Sequence, residues 1–230
     1  ASNWEREKLL SRSGHGVTLD ALTDEQGRLN DDSPIMLLLN NSMKGSHSYE
    51  TITFGEQCRA QGYRVYALNM RGAANAELKA DKGTKPCFST TSSTGDLKDA
   101  LLWLTKRHKN VKLSLVSFGT TSAMVVNYLG AEGKKALVES AVCISPALNM
   151  VPLASGSFIQ DRLELRVLQR FVLARHADEI QSQLGEEAIT KASKAGSVAQ
   201  FMETVSMQMC GDEPDDEMRY SDYLTAHSTT

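Results

Sequence analysis

Apolar and polar positions alternate along this chain in two registers. Nearly continuous apolar runs of strand length occur at Ile35–Leu39 (IMLLL), Tyr63–Leu68 (YRVYAL), Leu113–Phe118 (LSLVSF) and Ala141–Ser145 (AVCIS). Such runs suit strands buried on both faces. Between them lie segments with helical periodicity at Tyr49–Gln61, Asp96–His108 and Ala123–Leu129. In the second, Leu97, Leu101 and Leu104 share one face, and Ser93-Thr-Gly-Asp96 ahead of it fits a helix-start capping pattern. Strand and helix in alternation predict parallel βαβ units, and so a mainly parallel sheet with helices on both faces. Upstream, GVTLDALTDEQGRLNDDSP alternates and then reaches Gly27, which predicts a hairpin turning there.

The pattern changes after Pro146. Leu163–Ile180 is amphipathic, with Leu163, Val167, Phe171 and Ala174 on one side and Arg162, Arg166, Arg170 and Arg175 largely elsewhere. The arginines read as a solvated face, with a partner or membrane surface as the lesser reading. Ser193–Ser197 (SKAGS) reads as a linker, and Met202, Met207 and Met209 as packing residues. The chain therefore divides into an α/β core over residues 1–150 and a helical region over residues 151–230.

Composition narrows the function classes. At 230 residues and 41% hydrophobic, the chain can bury a substantial core. A formal net charge of −3 argues against a nucleic-acid partner, whose binding surface is basic. No apolar run approaches the roughly 18–20 residues needed to span a bilayer, and no signal-peptide pattern opens the chain. Cys58, Cys87, Cys143 and Cys210 form no C-x-x-C pair, so they read as reduced, packed thiols of a reducing compartment. His15, His47, His108, His176 and His227 have no metal-ligand spacing partner and read as solvated loop and helix-end residues. Neither a metal nor a cofactor is expected; RGAANAE lacks both phosphate-binding glycine patterns.

The stretch LSLVSFGTTS reads as a strand entering a tight turn before a helix. In many α/β enzymes that turn carries a nucleophile flanked by small residues two positions away on either side. Placing Ser117 at the tip sets the large Leu115 in the flank, and Thr120 sets Phe118 there. Gly119 is flanked by Ser117 and Thr121, and fits best. Glycine supplies no oxygen, so acyl-enzyme chemistry is impossible at that position. Ser117 and Thr120 are the fallback nucleophiles, set against a plain role for these hydroxyls in satisfying the turn and helix start.

From here the sequence resembles a known family, the α/β-hydrolase-domain group that contains YheT-like hydrolases and membrane-anchored esterases and phospholipases. The resemblance runs in order through GVTLDAL, PIMLLLNNSMKGSHSYE, GYRVYALNMRGAANAEL, GDLKDALLWLTKRHKN, VSFGTTSAMVVNYLGAEG and AVCISPALNM. It continues to the late AQFMETVSMQMCGDEPDDEMRYSDYLTAHSTT. It implies an α/β-hydrolase fold with a helical cap inserted after the strand ending near Ser145. It also implies a serine at the position of Gly119, glycines at those of Ser117 and Thr121, and an oxyanion loop at Asn41, Ser42 and Thr120. The family's loop opens with His-Gly or Pro-Gly, where this chain has Asn40-Asn41, and its glycine-rich turn is here Ala73-Ala74-Asn75. The family's acid and histidine lie beyond the cap, past Thr230, so no residue here takes those roles. A sheet lacking those last strands is expected to leave an exposed edge and an uncovered face.

Three functional expectations follow. The first is a catalytically inactive hydrolase homologue acting as a structural or binding subunit, with other protein subunits as partners. The second is a serine-type esterase or lipase on an acyl ester, with Ser117 or Thr120 as a relocated nucleophile. The third is a pocket that binds a lipid without chemistry, in keeping with the membrane association the resemblance implies.

Overall fold

The computed structural model describes residues 3–12, 14–24, 27, 29–40, 45–73, 76, 78, 84–90, 94–149 and 158–209. The chain forms two units: Ala1–Glu77 with Thr91–Leu148, and Leu78–Thr90 with Asn149–Ser228.

The first unit is built in the order β1 (Trp4–Leu10), β2 (Gly16–Leu22), β3 (Ile35–Leu39), α1 (Tyr49–Ala60), β4 (Arg64–Asn69), α2 (Gly95–Arg107), β5 (Leu113–Phe118), α3 (Thr121–Glu132) and β6 (Ser140–Ile144). The strands form one sheet in the order β1-β2-β4-β3-β5-β6. The last four in that order run parallel, while β2 is antiparallel to both β1 and β4. The pleat sends Leu37 and Leu39 to the face packed by Leu97, Leu101 and Leu104 of α2 and Met124, Val125 and Tyr128 of α3. It sends Leu38 to the other face, with Cys58 and Phe54 of α1. These leucines are fully buried, and each contributes about 2 kcal/mol on leaving water.

One expectation about this unit is corrected. The hairpin does not turn at Gly27. Gly27 has φ +59°, but β3 beyond it pairs with β4 and β5. The antiparallel partner of β2 is β1, upstream, and Gly14 (φ +81°) lies in the turn joining them. Ser93, which opens the capping pattern expected ahead of α2, lies outside the described residues; Thr94 makes no side-chain capping bond, and Asp96 bonds to Arg71. At the far side of the sheet β6 is the outer strand, and no described strand pairs beyond it; Val142 is 54% exposed.

The second unit is helical: α4 (Phe158–Leu168), a π turn at Gln169–Leu173, α5 (Ala174–Leu184), α6 (Glu186–Ser193), α7 (Val198–Phe201) and a second π turn at Met202–Ser206. Its buried side chains include Leu165, Val172, Ile180, Phe201, Val205, Met207 and Met209. Residues 193–197 are a turn between helices rather than a linker. Gln169 Nε2 donates to the carbonyls of Ala192 and Ser193, both at 3.1 Å, and Ser197 Oγ accepts from the Gln200 amide. The expected apolar side of Leu163–Ile180 is also corrected. Leu163, Val167, Phe171 and Ala174 are exposed, and Leu165, Val172, His176 and Ile180 are buried. No described helix is long and apolar enough to cross a membrane.

Candidate functional site

The turn after β5 is where the sequence places it. Gly119 has φ +64°, in the left-handed region that L side chains disfavour. Its amide donates to the Ile144 carbonyl at 3.0 Å. Its own carbonyl accepts from Ala147 and Ser122, both at 3.2 Å. The turn is thus tied both to α3 and to the segment leaving β6. Gly119→Ala is expected to cost about 1–2 kcal/mol through the backbone alone. A melting temperature a few degrees below wild type checks it, and an unchanged value contradicts it.

The flanking hydroxyls point inward. Ser117 is fully buried, with its Oγ 3.0 Å from Ser122 Oγ and 3.4 Å from Cys143 Sγ. Ser122 is fully buried too. The recorded bonds of this pair reach no imidazole and no carboxylate among the described residues. Thr121 Oγ1 is also buried and bonds to the carbonyls of Leu39 (3.2 Å) and Phe118 (3.0 Å), joining the end of β3 to the turn. Thr120 is half-buried, and its φ and ψ of −66° and −30° already belong to the helix. Asn41 and Ser42, the other implied oxyanion-loop positions, lie outside the described residues.

The loop between β3 and α1 is anchored by a carboxylate that the motif reading does not single out. Asp20 is 1% exposed in the middle of β2. Arg6, directly across on β1, grips it with Nε at 2.8 Å and an Nη at 2.9 Å. Asn69 Nδ2 donates to it at 2.9 Å, and the Ser46 hydroxyl donates to the same oxygen. Burial alone would raise the Asp20 carboxyl, but the bonds and charge of Arg6, with Ser46 and Asn69, hold it below its ordinary value. Asn69 Oδ1 also accepts from the Ser46 amide at 2.9 Å. At the end of β3, Asn40 Nδ2 bonds to Ser48 and Thr51, and Ser48 caps α1. Both sides of the undescribed loop residues 41–44 are therefore fixed to the sheet.

A second buried pair joins the segment after β4 to α2: Arg71 Nε lies 2.8 Å from Asp96 Oδ2, with the two side chains each 8% exposed.

The histidines are partly corrected. His15 is buried in the turn joining β1 and β2, its amide bonded to Ser11 Oγ. His108 Nε2 lies 2.8 Å from the Tyr66 hydroxyl. Burial, with Arg64 and Arg107 nearby, lowers its pKa. His176 is buried edge-on to Phe88. His47 is exposed, and His227 lies outside the described residues. Cys58, Cys87 and Cys143 are free thiols, and burial pushes Cys58 up to about 11, so it is a packing residue rather than a nucleophile. Cys210 lies outside the described residues, among which no cluster of three or more His, Cys, Asp or Glu is placed to hold a metal ion.

Comparison with known proteins agrees with this architecture. An abhydrolase domain-containing protein of Dictyostelium discoideum is 26% identical over 231 residues, which cover 97% of this chain and 56% of that protein. Medium-chain fatty acid ethyl ester synthase/esterase 2 of Saccharomyces cerevisiae is 27% identical over 165 residues, 70% of this chain and 35% of the yeast protein. The chain thus spans about half, or less, of the curated relatives it matches. Among solved structures, an esterase of Pyrococcus furiosus shares the fold with a TM-score of 0.53 at 13% identity, over 93% of this chain and 64% of that one. No protein-family model matches the chain.

Proposed function

We propose that this member of the α/β-hydrolase-domain family is catalytically inactive at the turn after β5. In this reading it serves as a binding or structural subunit with other protein subunits as its partners. One observation carries the reading: the strand-to-helix turn is kept, with φ +64° at its tip, but the tip residue is Gly119. Acyl transfer through a serine ester needs an oxygen there and a base within hydrogen-bond reach of it. Ser117, the nearest hydroxyl upstream, is turned into the core against Ser122 and Cys143. Moving it to the surface would break that buried arrangement.

The esterase activity named for the yeast and archaeal relatives belongs to those proteins. It supplies the test substrates here, since a medium-chain acyl ester is what a surviving activity would take. Purified full-length protein is expected to leave p-nitrophenyl octanoate unhydrolysed beyond the buffer rate. Turnover that disappears in Thr120→Val or Ser117→Ala would overturn the proposal in favour of a relocated nucleophile.

A further inference from the structure

The helical run from α4 through the π turn into α5 has two unlike faces. Leu165, Val172, His176 and Ile180 are buried. Opposite them, Ile159 is 71% exposed, Leu163 58%, Val167 45% and Phe171 49%, and Phe158, at the helix start, is 71% exposed beside that row. From Ile159 these recur every fourth residue, and the π turn, wider than an α turn, keeps Phe171 aligned with Val167. Apolar side chains this large, gathered on one exposed face, mark a contact surface.

Exposed arginines are interleaved with them: Arg162, Arg166, Arg170 and Arg175. Among the described residues none of the four is in an ion pair. The Arg162 guanidinium lies 5.2 Å from the centre of the Phe158 ring, so cation and aromatic project together. The carboxylates of α4 are engaged locally. Asp161 accepts from the Val198 amide at 3.1 Å, and Glu164 from Gln160 Nε2 at 2.9 Å.

We infer that this face of α4 and the following π turn rests on an anionic lipid surface. The phenylalanine, leucine, isoleucine and valine side chains enter the boundary between headgroups and acyl chains, while the arginines reach the lipid phosphates and carboxylates. A bilayer supplies hydrocarbon and negative charge side by side without any fixed register, which is what an interleaved apolar and basic face requires. A protein partner would need several carboxylates placed between apolar pockets at matching spacing. This inference does not depend on the chemistry of Gly119.

The test is co-sedimentation of the full-length protein with vesicles of phosphatidylcholine alone and with about one-quarter phosphatidylserine. Binding to the anionic vesicles is expected, weakening as salt rises. Arg166→Gln with Arg170→Gln is expected to weaken it about 30-fold, and Leu163→Ser with Phe171→Ser to weaken it on the same vesicles. All four positions are exposed, so far-UV circular dichroism should be unchanged and the loss can be assigned to the surface. No binding to anionic vesicles would overturn the inference, as would binding that neither pair of substitutions affects. A concentration-dependent dimer lost in Leu163→Ser/Phe171→Ser, without vesicle binding, would overturn it and assign the face to a second copy of the chain.

Discussion

Asp20→Ala is expected to destabilise the protein by about 3 kcal/mol or more at neutral pH, the cost of breaking a buried ion pair by removing one partner. The carboxylate is 1% exposed and accepts from Arg6, Asn69 and Ser46. Its removal leaves three donors facing a cavity. The Arg6 side chain is 27% exposed, so water recovers part of its loss and the lower end of the range applies. Urea unfolding at neutral pH measures the effect, and a loss under about 1 kcal/mol, the range of a surface pair, would contradict it. The pH dependence has a definite sign. The folded carboxyl titrates below its ordinary value of 3.8, so its contribution is complete above that pH and is lost as pH falls through the lower, folded-state value. The advantage of wild type over Asp20→Asn should therefore hold from neutral pH down to about 4 and shrink only in stronger acid. An advantage that shrinks already between pH 7 and 5 would point to another group.

Arg71→Met is the second large effect, also about 3 kcal/mol. Arg71 and Asp96 are both nearly enclosed, and Nε meets the carboxylate at 2.8 Å. Asp96 lies in the first turn of α2, where the helix amides favour a negative charge and partly offset the loss. Combining Arg71→Met with Asp96→Asn should cost clearly less than the sum of the two single changes, because neither then strands a charge. A coupling below about 0.5 kcal/mol, the level of independent sites, would show that the pair does not act as a unit. Together these two pairs fix the loop after β3 and the start of α2 to the sheet that carries the β5 turn.

The four apolar runs became β3, β4, β5 and β6 within about one residue; for β3, β4 and β5 the reason is burial on both faces, which needs no pattern other than continuous apolar character, whereas β6 is apolar but lies at the sheet's outer side. Trp4–Leu10 (WEREKLL) carries no such signal: it is a strand rich in charge that, among the described residues, is paired on one side only. That omission also displaced the hairpin to Gly27. Asp20 did leave a trace, a carboxylate in the apolar run GVTLDAL. Its partner did not, since Arg6 becomes its neighbour only through the β1–β2 register. The turn at Gly119 was legible because small flanking residues and a strand-to-helix change are both local features. The burial of Ser117 and its contact with Cys143 were not, since Cys143 arrives from β6, 26 residues further on. On α4 the periodicity found a helix with one apolar side, but a second set of apolar residues at Leu165, Val172 and Ile180 took the interior. Periodicity alone does not say which of two apolar stripes is covered.

The proposed inactive reading, a turn kept with glycine at its tip, separates fold from chemistry, as families built on this kind of sheet allow. The measurement that bears on this most directly is fluorophosphonate labelling of the full-length protein, with the modified peptide mapped by mass spectrometry beside an active serine hydrolase. The expected result is a labelled control and no adduct on this chain. An adduct on Ser117, Thr120 or Ser122 would mean that a nucleophile has been rebuilt beside Gly119, and the inactive reading would be wrong.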